Sequence, residues 1–419
     1  MFRNTIGQII HTLRTNKLRS LLTMFGIAWG VLSIILMTAS GEGFRQAQRD
    51  GLRQLGRDIL IIWGGKTSLQ AEGFQAGRDI RLEYADYVAI RDQARFVRWV
   101  SPELIRSDLV AKTSINNGTF HVRGVVPDYQ IMRTIEAARG RLINQADEEQ
   151  ARAVCVIGTE VSKQLFNAAD PVGQTISING YPFTVVGLMP HKELNNNYHG
   201  QDHSSIFVPY RTLRKLFSNP ARGSSPDLIN NLIASPVSHD RYREAEREVR
   251  EILGRKWKFD PRDRDAIFIW NTAHQLEMME LMMGGMQWFL GTVGVVTLLL
   301  GALGVVNIML VSVRERTMEI GLRKSVGARS SDILRQFFAE ALVLTLLAGG
   351  AGLLLAWAVC AAINTLPLPE MVFKGMIISR PIALGTVGAL ALAGIGAGIY
   401  PAYLAAQMDP IEALRFESN

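Results

Sequence analysis

The sequence predicts an α+β membrane protein: four transmembrane helices with a large mixed α/β extracytoplasmic domain inserted between helices one and two. Three observations carry this reading. Residues 20–41, 281–313, 341–369 and 381–408 are free of charge, and about 20 apolar residues span the hydrocarbon core as a helix. Residues 43–280, by contrast, alternate short β-like and helix-like patterns. Basic residues also gather where short flanks face the cytoplasm: Arg3, Arg14, Lys17 and Arg19 precede the first run without an acid. Buried helices of a soluble protein carry more polar residues than these four runs do.

Residues 1–19 read as a cytoplasmic amphipathic helix, with Phe2, Ile6, Ile9 and Leu13 on one face and Arg14 and Lys17 beyond them. Such a helix lies on the membrane surface or packs against another subunit. The first span is residues 20–42. Ala39-Ser40-Gly41 resembles a cleavage site, but the run exceeds a signal peptide's apolar core, so it reads as an uncleaved anchor. Phe44, Ala47, Leu52 and Leu55 continue the helical period beyond the span.

Residues 43–280 form the extracytoplasmic domain, long enough to bury its own core. Helices are expected at 85–96, 159–166 and 239–254, and strands at 59–63, 121–126, 154–157, 175–178, 183–186, 205–208, 228–234 and 266–270. Asn179-Gly180 is the strongest hairpin signal, and Gly64-Gly65 reads as a turn. A helix over 272–283 leads into the second span, residues 285–311. There Gly291, Gly294, Gly301 and Gly304 permit close helix packing, and Asn307 is the clearest polar group, placed to bond a neighbouring helix.

Residues 312–336 are a charged cytoplasmic segment. Gly321 and Gly327 break its helical period into short pieces. The third span (337–362), a short loop (363–380) and the fourth span (381–405, with Gly394, Gly396 and Gly398) follow. Residues 406–419 form a tail, which four crossings return to the cytoplasm. The formal charge of +7 is explained by the basic N-terminal flank and the charged segment; it is a topology signal and implies no nucleic-acid partner. The near absence of charge within the spans argues against a polar solute pathway through one copy.

Little in the chain suggests catalysis. Gly64-Gly65-Lys66-Thr67 has the ending of a phosphate-binding loop, but Leu60 stands where its leading glycine belongs. His191, His199 and His203, with Glu193 and Asp202, lack a zinc-site spacing and read as a flexible surface loop. Cys155 and Cys360 fall in a strand and a span and read as buried thiols rather than a disulfide. No cofactor or metal is expected on this chain.

The charged stretch RERTMEIGLRKSVGARSSDILRQFFAEA resembles the cytoplasmic signature of the FtsX-like, MacB-type ABC transporter permeases. LRTNKLRSLLTMFGIAWGVLSII resembles that family's first span, and YPAYLAAQMDPIEALR its ending, although Tyr403 and Leu404 stand where charge is usual. RGVVPDY and VCVIGTEVSKQLFNAADPVGQTISINGYPFTVVGLM resemble the MacB-type periplasmic core domain.

The resemblance implies a homodimeric, non-catalytic subunit in the bacterial inner membrane. A separate cytoplasmic ABC ATPase dimer would supply ATP and Mg, because the first span begins so near the start of the chain. It implies that 312–336 holds a coupling helix, with Glu319, Gly321, Arg323, Lys324, Gly327 and Ala328 matching its core. Glu319 and Arg323 are placed either to pair with each other or to face the ATPase. It implies mechanotransmission, in which ATP-driven motion of the spans shifts the periplasmic domains and drives export. A periplasmic adaptor and an outer-membrane channel would complete a tripartite efflux pump. Lipoprotein extraction from the membrane and control of a cell-wall hydrolase are the competing readings.

Overall fold

The computed structural model describes residues 17–56, 58–167, 169–190, 198–217, 227–369 and 373–415. The amphipathic face of Phe2, Ile6, Ile9 and Leu13 lies outside them, as do His191 and Glu193. The chain divides into two compact units, Gln48–Met279 and the combination of Met1–Ala47 with Glu280–Asn419.

The first long helix, α1 (Lys17–Leu55), has no interior proline and ends at Gly56, whose φ of +149° a side chain would resist. The mixed unit then runs β1 (Leu60–Gly64), α2 (Tyr84–Gln93), β2 (Val97–Arg106), β3 (Val110–Lys112), β4 (Asn117–Thr119), β5 (His121–Val125) and α3 (Pro127–Met132). It continues with β6 (Arg139–Gly140), α4 (Gln145–Glu149), β7 (Val154–Ile157), α5 (Thr159–Phe166), β8 (Thr175–Ile178) and β9 (Tyr181–Leu188). It closes with β10 (Ser205–Pro209), α6 (Tyr210–Phe217), β11 (Asn231–Pro236), α7 (Tyr242–Trp257) and β12 (Ile267–Asn271).

These strands form one sheet in the order β12-β1-β11-β2-β5-β10-β7-β9-β8-β3-β4, with β6 on β9. Among the described residues, only β10–β5 and β7–β9 pair in parallel. Asn179 and Gly180 both take positive φ in the β8–β9 hairpin, as a tight two-residue turn requires. Along β9, Phe183 and Val185 face the core while Pro182 and Thr184 face out, the period of two that fixes register. Leu60, Tyr87, Val100, Leu232 and Val249 build one apolar cluster. Val122, Ile157, Leu165, Phe183 and Leu213 build a second. A third gathers Leu55, Ile59, Tyr129, Phe207 and Ile233.

Several expectations need correction. Gly64–Thr67 does not turn: Gly65 and Lys66 donate to the Ala266 and Asp265 carbonyls (3.0 and 2.9 Å), so the chain runs straight on along the β12 side. Strand β2 was not foreseen from its sequence, VRWVSPELIR, where Arg98, Pro102 and Glu103 break the apolar alternation. The end of the histidine-bearing loop is not a free surface: Asp202 and His203 are buried.

The remaining helices are α8 (Thr272–Glu315), which passes from the mixed unit into the other one at Glu280, and α9 (Thr317–Ser325), α10 (Ser330–Asn364), α11 (Arg380–Gln407) and α12 (Pro410–Arg415), all in that other unit. Among the described residues four helical stretches are long and apolar enough to cross a membrane: Met24–Gly51, Thr272–Glu315, Ser330–Asn364 and Arg380–Gln407. At about 1.5 Å per residue, the 39 residues of α1 and 44 of α8 each exceed a hydrocarbon core of about 30 Å.

Ile27, Val31, Leu298, Val305, Phe337, Ala341, Leu390 and Ala397 form the helical core. Helices α1 and α8 meet where a Cβ on Gly301 would lie 2.8 Å from the Gly26 carbonyl carbon. Gly294, Gly394 and Gly398 also sit at close contacts, whereas Gly291 and Gly396 face open surface. Asn307 does too: it is exposed on α8 rather than turned into the packed helices. Between α10 and α11 an extended strap is tied down by its backbone. Lys374 and Ile377 donate to the Gly43 and Ala39 carbonyls of α1 (3.3 and 3.2 Å). Asn364 bonds both the N–H and the carbonyl of Met376 (2.6 and 3.2 Å).

Candidate coupling site

The charged segment folds into α9 and the first turns of α10. Helix α9 follows α8 after Arg316 and stops at a defined cap. The Ala328 N–H donates to the Arg323 carbonyl and the Gly327 N–H to that of Lys324, both at 3.0 Å, with Gly327 at φ +103°. This is the glycine-terminated helix end that satisfies otherwise orphaned carbonyls. Gly327 and Ala328 thus serve to reverse the chain into α10, where the Arg329 N–H bonds the Asp332 carboxylate (3.3 Å). Gly321, expected to interrupt the helix, lies within it. Its bare Cα lets α12 approach, since a Cβ there would fall 2.7 Å from that of Ala413.

The remaining three expected residues bond within this unit. Glu319 and Arg323 form the i,i+4 pair, and Arg323 also donates to Gln336 on α10 (2.8 Å). Lys324 extends its ammonium to the carbonyls of Ala406 (2.6 Å) and Met408 (2.8 Å), at the C-terminal end of α11. Arg316 and the buried Glu340 tie the α8–α9 junction to α10 (3.0 Å). Asp409 accepts from the Ile411 N–H (2.8 Å) at the start of α12.

An apolar ridge is exposed along α9 and the residue that follows it, with Glu319, paired to Arg323, and Ser325 exposed beside it. Met318 and Leu322 are each 57% exposed and Val326 82%. They recur every four residues, on one side of the helix. Ile411 and Leu414 of α12 are exposed as well. Met318, Leu322 and Val326, spaced i, i+4, i+8, belong to the apolar positions interspersed among the charges of this segment, a pattern suited to inserting one face into a partner's groove.

The mixed unit contains a buried charge network. Glu103 on β2 accepts from Arg123 (3.2 Å) and Tyr129 (2.9 Å) with one oxygen and from Asn231 (2.7 Å) with the other. Arg123 also donates to the His199 and Gly200 carbonyls (2.6 and 2.9 Å). Arg133 holds Asp202 through both carboxylate oxygens (3.0 and 2.8 Å). Burial opposes the Arg123 charge, but Tyr129, Glu103 and Asp202 outweigh it and raise its pKa. Burial, then Glu103, pushes the Tyr129 phenol up. Asp202 is engaged by Arg133, and no group of three His, Cys, Asp or Glu suited to a metal occurs among the described residues.

Two family models match: the MacB-like periplasmic core domain over residues 20–252 and the FtsX-like permease C-terminal region over 291–410. The chain belongs to the MacB-type family of FtsX-like permeases. The macrolide export ATP-binding/permease protein MacB of Bdellovibrio bacteriovorus is 32% identical over 98% of this chain and 61% of its own length. The pyoverdine export ATP-binding/permease protein PvdT of Pseudomonas entomophila is 30% identical over 96% and 58%. The chain therefore spans about three-fifths of these relatives. The crystal structure of the periplasmic region of MacB from Actinobacillus actinomycetemcomitans aligns with a TM-score of 0.42 at 19% identity, over 55% of this chain and 95% of that one.

Proposed function

We propose that the chain is the permease subunit of an ABC exporter of the mechanotransmission type. It acts as a homodimer in the bacterial inner membrane, with both termini cytoplasmic. A separate cytoplasmic ATPase dimer, binding ATP and Mg, docks on the ridge of Met318, Leu322 and Val326. Glu319, Gly321, Arg323, Lys324, Gly327 and Ala328 shape and brace the coupling helix behind that ridge. A periplasmic adaptor and an outer-membrane channel complete the export path.

The observation that carries this reading is the joint between the first residue of α8 and the residue that leads into β1. The Thr272 N–H donates to the Ile59 carbonyl (3.0 Å), the Ile59 N–H donates to the Thr272 hydroxyl (2.9 Å), and that hydroxyl returns a bond to the Ile59 carbonyl (3.1 Å). Beyond it, β1 and β12 pair from Leu60–Asn271 to Gly64–Ile267. Two membrane-length helices therefore end in adjacent, bonded strands of one sheet. In this reading a displacement of either helix is passed to the strand that adjoins it. Uncharged spans suit such a transmitter better than a polar conduit.

Purification from native membranes with mass spectrometry of bound partners tests the proposal. An ATP-binding subunit together with a periplasmic adaptor is the expected result. A lipoprotein carrier in the adaptor's place moves the assignment to lipoprotein extraction. A cell-wall hydrolase moves it to regulation, and no ATP-binding subunit at all refutes the coupling reading.

A further inference from the structure

Lys324 has a distinct place in this site. Its ammonium turns away from the Met318–Leu322–Val326 ridge and grips two main-chain carbonyls of another element. Ala406 is in the last turn of α11, and Met408 lies just beyond its end. A cation there is favoured twice, by charge-assisted hydrogen bonds and by the negative end of the helix dipole. Pro401 lies inside the same helix, buried, between one and two turns before the gripped carbonyls. Proline offers no N–H to the carbonyl four residues back, so the helix ladder has a gap at that point. The segment beyond the gap also abuts α9 through α12, at the Gly321–Ala413 contact.

We propose that Lys324 is a positioning residue that couples α9 to the C-terminal end of the fourth span, with Pro401 as the joint about which that end swings. The proposal rests on the reading of the α9 ridge as the ATPase contact and adds the path by which motion leaves it. Arg316–Glu340 and Arg323–Gln336 connect the same region to α10. Lys324 supplies the connection to α11. Displacing α9 pulls the Ala402–Gln407 turns with it, while the part of the helix before Pro401 stays packed against α10 through Leu390 and Gly394.

The test uses the full chain with its co-purifying ATP-binding subunit in lipid nanodiscs. Hydrogen exchange of residues 402–415 is followed with and without ATP and vanadate, and residues 380–396 serve as the internal reference. In the unsubstituted protein the nucleotide changes exchange in 402–415. Lys324→Met should retain the ATP-binding subunit, exchange in 402–415 roughly tenfold faster without nucleotide, and lose the nucleotide response. Lys324→Arg, which still donates to carbonyls, should restore most of it. Pro401→Ala should keep the subunit and blunt the response.

The proposal is overturned if Lys324→Met responds normally, or if it sheds the ATP-binding subunit, which would make Lys324 a contact or folding residue. Leu322→Asp checks the parent reading separately. If that variant keeps the subunit, the ridge is not the contact, and the role of Lys324 is judged on the Lys324→Met result alone. Absence of any ATP-binding subunit from the unsubstituted protein sinks both.

Discussion

Replacing Arg123 by Met tests whether buried charge holds the mixed sheet together at its centre. The β2–β5 pair lies where the sheet passes from the β12-β1-β11-β2 group to the β5-β10-β7-β9 group. Glu103, opposite Val125, and Arg123, opposite Ile105, meet diagonally across that pair, with side chains 0% and 1% exposed. In the native network Glu103 and Asp202 are balanced by Arg123 and Arg133. Methionine fills much of the arginine's volume but leaves Glu103 with only Tyr129 and Asn231, and leaves the His199 and Gly200 carbonyls without their donor. Breaking one side of a buried pair costs about 3–5 kcal/mol, because an uncompensated charge stays behind.

Hydrogen exchange of β2 and β5 amides in the full chain reads this directly, as a rise of roughly two to three and a half orders of magnitude in the opening constant. Glu103→Gln combined with Arg123→Met removes both members and leaves Arg133–Asp202 intact. The pair should then cost about 2–3 kcal/mol less than the sum of the single substitutions. Exchange within threefold of the native rate in Arg123→Met, or strict additivity in the double variant, would refute the reasoning.

Three further outcomes are expected. Leu322→Asp should weaken retention of the ATP-binding subunit roughly thirtyfold in pull-down titrations, the effect of losing an interface anchor worth about 2 kcal/mol, without lowering the melting temperature. Gly43→Val should destabilise the helical unit by about 1–3 kcal/mol in thermal melts, because its Cβ would overlap the Gly375 carbonyl in the strap. Glu148 is buried beside the first turn of α6, accepting weakly from the Arg211 N–H (3.3 Å), and burial pushes its pKa up to about 7. The folded state then holds a proton that the unfolded chain releases above its ordinary 4.5. Its effect is a loss of stability as pH rises from about 4.5 to about 7, with no further change above. Glu148→Gln should abolish that slope and stabilise the protein by up to about 3 kcal/mol at pH 8, read by urea unfolding across the pH range.

The helices and the hairpin were legible because each has a local cause. Long uncharged runs fix the four spans whatever surrounds them, and Asn179-Gly180 carries its positive φ in its own chemistry. Strand β2 was hidden because its cause is not local. Glu103 would mark a surface position in an isolated strand; it is buried because Arg123, Tyr129 and Asn231, from three distant segments, converge on it. The same holds for the loop ending at Asp202. Its polar composition reads as solvated, yet Asp202 is buried, where Arg133, just past α3, and Arg123 both pair with it. The stretch at Gly64–Thr67 misled for the opposite reason: two glycines permit a turn, but β12 offers carbonyls that reward extension.

For the charged segment, the sequence shows which residue types are present but not the directions of their side chains. A lysine in a cytoplasmic signature is equally suited to an acidic partner and to a helix C-terminus within its own chain. What separates the two is the position of Ala406 and Met408, more than 80 residues away in the chain. Direction changes the meaning of the motif. If its charged members pointed outward, recognition would be electrostatic and salt-sensitive. With Arg316, Arg323 and Lys324 bound to Glu340, Gln336 and the end of α11, and Glu319 paired with Arg323, the exposed side chains without a charged role are Met318, Leu322 and Val326. Attachment of the ATP-binding subunit should therefore survive an increase from 0.1 to about 1 M sodium chloride, which cuts the screening length from about 10 to about 3 Å. Release of the subunit over that range would place the charged residues, not the apolar ridge, at the contact.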